Sequence, residues 1–108
     1  PPGNDVRATL IAMLLAAAGL ASPAAAQDQK KIDAGERVYN NYCFTCHGEN
    51  LVNTGQTFDL RRLRADERQR FDTSVRNGKN QMPPWKDVLS DEQIDNLWNY
   101  IRANSTAK

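Results

Sequence analysis

The run Cys43-Phe44-Thr45-Cys46-His47 decides how this chain is read. Two thiols three positions apart lie about one helical turn from each other, and an imidazole follows at once. The whole chain has 2 cysteines and 1 histidine, and all of them sit in this run. One turn of helix sets the two sulfurs about as far apart as the two vinyl groups of a haem, so each thiol can add across one vinyl to give a thioether. The next residue then lies against the iron and offers a ring nitrogen. C-x-x-C-H is on these grounds the attachment sequence of one c-type haem, held covalently through Cys43 and Cys46 with His47 as proximal ligand.

Three plainer uses of the same residues are weaker. A zinc half-site would need further ligands, and with cysteine and histidine exhausted only carboxylates could complete the shell, an unusual mixture. A thioredoxin-like redox pair expects a strand–helix–strand context, which no nearby segment provides. A disulfide across so short a loop removes little chain entropy and adds little stability.

A second axial ligand follows by elimination. No other histidine exists, and the 2 methionines are Met13 and Met82. Met13 falls in an N-terminal apolar run with the marks of a leader, which leaves Met82. It stands far enough along the chain from His47 to return over the other side of the ring. Pro83 and Pro84 behind it forbid a regular helix and fix an extended segment. A thioether favours Fe(II) over Fe(III) more than a second imidazole does, raising the potential. An iron capped in this way has no free coordination position, which points to outer-sphere electron transfer and away from catalysis. The expected metal ligands are therefore His47 and Met82, with no catalytic residue. Trp85 has two readings: its indole N–H reaches a haem propionate, or its ring packs against the haem.

Length and composition agree with one small domain. The chain has 108 residues, 40% apolar and 25% charged, with a net charge of +1. That balance gives no reason to expect nucleic acid or a membrane surface as partner. So short a chain builds a thin core, to which a tethered haem would add a large apolar body.

Periodicity predicts helices. Asp33 with Glu36 resembles a helix start, and Ile32, Gly35, Tyr39 and Cys43 then share one side, flanked by Tyr42. Gly35 inside a helix costs about 1 kcal/mol relative to alanine, so the close approach of another helix is expected there. Residues 48–56 read as loop, followed by Phe58, Leu60 and Leu63 as pocket-lining side chains. Arg61, Arg62, Arg64, Arg68 and Arg70 read as a solvated helix face, one or two of which could meet a propionate or an acidic partner. A second helix is expected over 66–77 with Phe71 and Val75 inward and Gly78 as its stop. Ser90 with Gln93 forms a capping box for a last helix, whose stripe is Ile94, Leu97, Trp98 and Ile101, flanked by Tyr100. Pattern is lost from Ala103 onward.

Residues 1–26 differ from the rest. Arg7 precedes an apolar run from Leu10 to Leu20, and Ala24-Ala25-Ala26 offers a small-residue cleavage site before Gln27. The run is shorter than the roughly 20 residues a bilayer span needs. The expected organisation is a cleaved signal peptide over 1–26 and a haem domain over 27–108, exported to the periplasm, with a trimmed start because the chain opens on Pro1. Export and haem attachment support each other, since thioether formation in bacteria is expected outside the cytoplasm.

Taken together, Gly35 and Tyr39 in the first helix, Leu97, Tyr100 and Ile101 in the last, Cys43, Cys46 and His47, and Val75-Arg76-Asn77-Gly78 with Met82-Pro83 resemble the class I cytochromes c. The likeness runs over about residues 33–102. It implies an all-α fold of three to four helices around one covalent haem, the terminal helices crossing where a small glycine lets them close, and an exposed haem edge. One departure stands out: many members carry a proline soon after the haem histidine, whose carbonyl accepts from the imidazole, and residues 48–60 contain none. Another backbone carbonyl is expected in that role.

Tyr39-Asn40-Asn41-Tyr42-Cys43, Asn77-Gly78-Lys79, Met82-Pro83-Pro84-Trp85 and Leu89-Ser90-Asp91-Glu92-Gln93 resemble, more narrowly, small periplasmic cytochromes that serve quinoprotein alcohol dehydrogenases. They are also similar to the haem subunits of sulfur-oxidising complexes. The expected function is a monomeric one-electron carrier between a periplasmic dehydrogenase and an oxidase or another cytochrome. A small haem subunit of a redox complex is the first alternative, and a haem sensor or peroxidase with a labile Met82 the second.

Overall fold

The computed structural model describes residues 22–107. The expected basic start and apolar run of the leader, with Met13, lie outside the described residues. The expected cleavage point falls in the exposed first turns of the first helix.

Helix α1 spans Pro23–Tyr42. It begins well before Asp33, because Pro23 at the first helical position and the alanines behind it are strong starters. Asp33 is no cap: it lies within α1, where its carboxylate accepts from the Gln29 amide at 2.8 Å. The first nine residues of α1 are exposed throughout; burial begins with Ile32 and deepens at Gly35, Val38 and Tyr39. The chain breaks at Cys43 and makes one further turn, α2, over Phe44–His47. Short 3₁₀ turns follow at Glu49–Leu51, Leu60–Arg62 and Ala65–Glu67. Helix α3 spans Arg68–Asn77 and α4 spans Asp91–Ala103. No strand forms among the described residues, and the class is all-α as expected.

The expected helix over 66–77 is a 3₁₀ turn running into α3, with Phe71 and Val75 buried as read. The capping box of α4 is complete: the Gln93 N–H donates to the Ser90 hydroxyl at 3.1 Å, and the Ser90 N–H donates to the Gln93 side chain at 2.8 Å. Asp91 and Glu92 occupy its first turn, where the helix dipole favours acids.

The frame is the crossing of α1 and α4. A Cβ added at Gly35 would lie 1.9 Å from the Asn96 carbonyl oxygen and 2.8 Å from the Tyr100 Cβ, so only glycine admits this approach. The crossing repays the propensity penalty by burying Tyr39 against Tyr100, with ring centroids 5.5 Å apart. Trp98 of α4 packs at a tilt against Phe71 of α3, with ring centroids 5.1 Å apart, and the Arg68 and Arg102 guanidinium groups lie within about 6 Å of its ring. Asp95 binds these elements together, accepting from Arg68 of α3 at 3.0 Å and Lys31 of α1 at 3.3 Å.

The C-terminal residues are held although they lack periodicity. The Thr106 N–H donates to the Arg61 carbonyl at 2.8 Å, and the Arg102 guanidinium donates to the Leu63 carbonyl. These bonds tie the tail to the loop that carries Leu60 and Leu63.

Candidate cofactor site

A cavity of about 580 Å³ opens between α2, the 55–63 loop, α3, the 79–82 turn and Leu97 of α4. Its size falls in the usual range for cofactor pockets. Cys43, His47 and Met82 all line it, together with apolar side chains that include Leu60, Leu63, Phe71 and Val75. A thiol, an imidazole and a thioether thus face one largely apolar space, three of the four groups that a covalently tethered haem would use. By contrast, no group of three or more His, Cys, Asp or Glu side chains converges among the described residues.

Cys43 caps the end of α1 and is half-buried; burial, then the neighbouring Cys46, pushes its thiol up to about 12. Cys46 is exposed and lies outside the cavity lining, and both cysteines are free.

His47 closes α2. Burial is the main influence on its ring and lowers the pKa, against a weaker opposite effect from the Phe58 carbonyl. The ring therefore favours the neutral form, the form that ligates. Its Nδ1 lies 3.1 Å from the Thr57 hydroxyl oxygen, and Nε2 has no hydrogen-bond partner among the described residues. The backbone around it is fixed by the Tyr39 hydroxyl, which donates to the Gly48 carbonyl. Gly48 has φ +94° and sits where a Cβ would lie 1.9 Å from the Val52 carbonyl oxygen.

Met82 is presented by a tight turn. The Met82 N–H donates to the Lys79 carbonyl at 2.9 Å, and the Lys79 N–H donates to the Met82 carbonyl at 3.1 Å. Asn80 within the turn has φ +55°. Gly78, at φ +76°, lets the turn start immediately after α3, since a Cβ there would lie 2.6 Å from the Met82 carbonyl oxygen. On the other side the Trp85 N–H donates to the Val75 carbonyl at 2.8 Å, so both ends of the 78–85 segment are anchored to α3. Pro83 and Pro84 need no backbone donor in this span.

Trp85 follows the Met82 turn but does not enter the cavity lining. Its half-buried ring packs against Tyr42, edge to face, with centroids 5.4 Å apart. The five arginines are divided, not a single helix face. Arg61 pairs with Asp59, Arg64 with Asp66, and Arg68 with Asp72 and Asp95. Arg70 alone of the five lines the cavity, with its guanidinium carbon 4.5 Å from the centre of the Phe58 ring and a nitrogen 3.2 Å from Glu67. Thr57 was not legible as a site residue: a threonine in an Asn, Gly and Thr loop carries the same signal as ordinary turn chemistry.

Among the described residues no helix is long and apolar enough to cross a membrane.

Comparison with known proteins places this arrangement. Residues 30–101 match the family model described as cytochrome c oxidase, cbb3-type, subunit III. The chain is 38% identical to a cytochrome c6 of Rippkaea orientalis over 93 residues, covering 82% of this chain and 81% of the relative. It is 31% identical to a cytochrome c6 of Gloeothece citriformis over 101 residues, covering 89% of each chain. It is also 35% identical over 81 residues to the quinohemoprotein alcohol dehydrogenase ADH-IIG of Pseudomonas putida; the match covers 73% of this chain but only 11% of that enzyme. No solved structure matches.

Proposed function

This chain belongs to the class I cytochromes c, electron-transfer proteins with one covalently bound haem c, and from that premise we propose that it is a one-electron carrier working between exported redox proteins. The observation that carries the reading is that Cys43, His47 and Met82 line one apolar cavity. Bound there, the haem supplies a single iron that alternates between Fe(II) and Fe(III).

The chain's own residues set the conditions for that exchange. The Cys43 and Cys46 thiols would hold the haem, each adding S–H across one vinyl group to give a thioether. His47 would hold the iron through Nε2, and Met82 through its sulfur, from the anchored 79–82 turn. With His47 and Met82 both holding it, an iron in this cavity would have no position left for water or substrate, so its chemistry would be outer-sphere electron exchange. The walls from Leu60, Phe71 and Val75 keep the site dry, which limits the solvent rearrangement that each change of charge demands. Trp85, which follows the Met82 turn in sequence, packs its ring against Tyr42 of α1.

The donor we favour is a periplasmic quinoprotein alcohol-type dehydrogenase. Support comes from the likeness to a segment of the quinohemoprotein alcohol dehydrogenase of Pseudomonas putida, and from the leader-like composition of residues 1–26. The second reading, a small haem subunit held in a larger redox complex, is favoured by the description of the matching family model as an oxidase subunit. Purification from the native cells with a mild detergent separates them. A haem-bearing monomer that is reduced at catalytic dehydrogenase concentrations supports the carrier. Stoichiometric co-purification with a larger catalytic subunit, with no free monomer able to accept electrons, supports the subunit and overturns the carrier.

A further inference from the structure

The acceptor for the His47 N–H is the point at which this chain departs from the proline-bearing members of its family. The loop after the haem motif is built to place a hydroxyl there. Asn53 folds the loop on itself: its side-chain oxygen accepts from the Gly55 N–H at 2.9 Å, and its amide donates to the Thr57 carbonyl at 3.0 Å. Asp59 closes the other side, its carboxylate accepting from the Arg61 N–H at 3.1 Å. Thr57 is thus pinned by its backbone between two closed turns, and its Oγ1 stands 3.1 Å from His47 Nδ1. The same oxygen lies 3.4 Å from the Phe58 carbonyl oxygen.

The chemistry of the ring decides the direction of the bond. If Nε2 is to bind iron, its lone pair must be free, so the ring proton is on Nδ1. Nδ1 then donates, and the Thr57 oxygen accepts. The hydroxyl proton turns away from the ring, toward the Phe58 carbonyl, the weaker of the two contacts. A hydroxyl that both accepts and donates becomes a better acceptor than an isolated one. A ligating imidazole needs such a partner to hold its tautomer and orientation and to raise its basicity.

We propose that Thr57 is the positioning residue of the proximal side: its hydroxyl holds the His47 ring and sets how strongly that ring donates to the iron. The inference rests on the axial assignment of His47 made above. Withdrawing the acceptor makes the imidazole a poorer donor, which stabilises Fe(III) less, so the reduction potential rises. Serine in its place keeps the hydroxyl; valine keeps the shape and removes it.

The test uses the nitrogen-labelled, haem-loaded protein in its reduced form. Proton NMR of the native chain is expected to show His47 ring signals displaced by the haem, with an Nδ1 proton slow to exchange with solvent and close in space to the Thr57 side chain. Thr57→Val is expected to raise the reduction potential and speed exchange of that proton, and Thr57→Ser to return both toward native. A displaced His47 ring whose Nδ1 proton lies away from Thr57 overturns the inference and leaves the axial assignment standing. So does a Thr57→Val protein with native potential and native exchange. A His47 ring at ordinary positions in a haem-bearing protein overturns the axial assignment and this inference with it. The native-chain measurement decides the matter even if the valine variant fails to mature.

Discussion

Gly35 and Asn96 meet backbone to backbone: the Cβ that residue 35 lacks would lie 1.9 Å from the Asn96 carbonyl oxygen and 2.5 Å from its carbonyl carbon. No rotamer can relieve such a clash, because the Cβ position is fixed by the backbone and the atoms it meets are main chain. The crossing of α1 and α4 therefore depends on a missing side chain.

Gly35→Ala should part the two helices. Alanine regains about 1 kcal/mol of helix propensity, and the overpacking cost of roughly 1–3 kcal/mol in a tight core opposes it. Because the neighbour here is backbone, the steric cost should prevail and the net effect should be destabilising. Urea unfolding of the haem-loaded variant checks it, and a midpoint equal to or above native would show that the crossing has slack.

Much of this frame is legible in the residues themselves. The capping box at Ser90 and Gln93 and the stop at Gly78 are local signals with local causes, and each forms as read; of the α4 stripe, Ile94, Leu97 and Ile101 are buried as read, with Tyr100 buried beside them and Trp98 only half-buried. The beginning of α1 was misplaced because Asp33 carries a cap-like pattern, while the stronger starter, Pro23 ahead of three alanines, sits in a stretch that also reads as a cleavage site. The arginine run misled for another reason. Composition shows a cluster of charge, but which carboxylate each guanidinium meets depends on turns at Leu60–Arg62 and Ala65–Glu67 that have no periodicity. The sequence points to a backbone carbonyl as the partner of His47; the structure sets beside the ring both a carbonyl, that of Phe58, and a side-chain hydroxyl, that of Thr57, 3.1 Å from Nδ1. Spacing cannot convey this, because Asn53 creates the contact by folding the loop.

Asp95 predicts a pH dependence. The hydrogen bond from Arg68, and then Lys31, holds its carboxyl below the ordinary value of 3.8. A carboxylate with a depressed folded pKa stabilises the fold fully above its unfolded pKa and loses that contribution as pH falls from there through the folded value. Asp95→Asn should therefore cost about 1 kcal/mol or less at neutral pH, the size expected for partly exposed pairs. It should also flatten the stability profile below about pH 4. Denaturant titrations at a series of pH values measure this, and parallel native and variant profiles would remove Asp95 from the linkage.

Cys46→Ala should leave the haem bound through a single thioether at Cys43. Denaturing chromatography followed by mass measurement of the haem peptide reads the outcome directly. Haem still joined at two positions would contradict the attachment assignment.

Met82→Ala should keep the haem covalently attached while opening the iron. The reduced variant should bind carbon monoxide rapidly. Its potential should fall by on the order of 100 mV, within the roughly 0.8 V that axial ligands span. Flash photolysis and redox titration measure the two effects. A variant as slow toward carbon monoxide as the native protein, at the native potential, would release Met82 from the role.

The account turns on iron held between His47 and the sulfur of Met82, and proton NMR of the reduced, haem-loaded protein tests that most directly. A side chain bound over the centre of the porphyrin feels its full ring current. The account predicts a three-proton signal from the Met82 methyl displaced far upfield of every ordinary methyl, and lost in Met82→Ala. A haem-bearing protein whose Met82 methyl resonates among the ordinary methionines would contradict it.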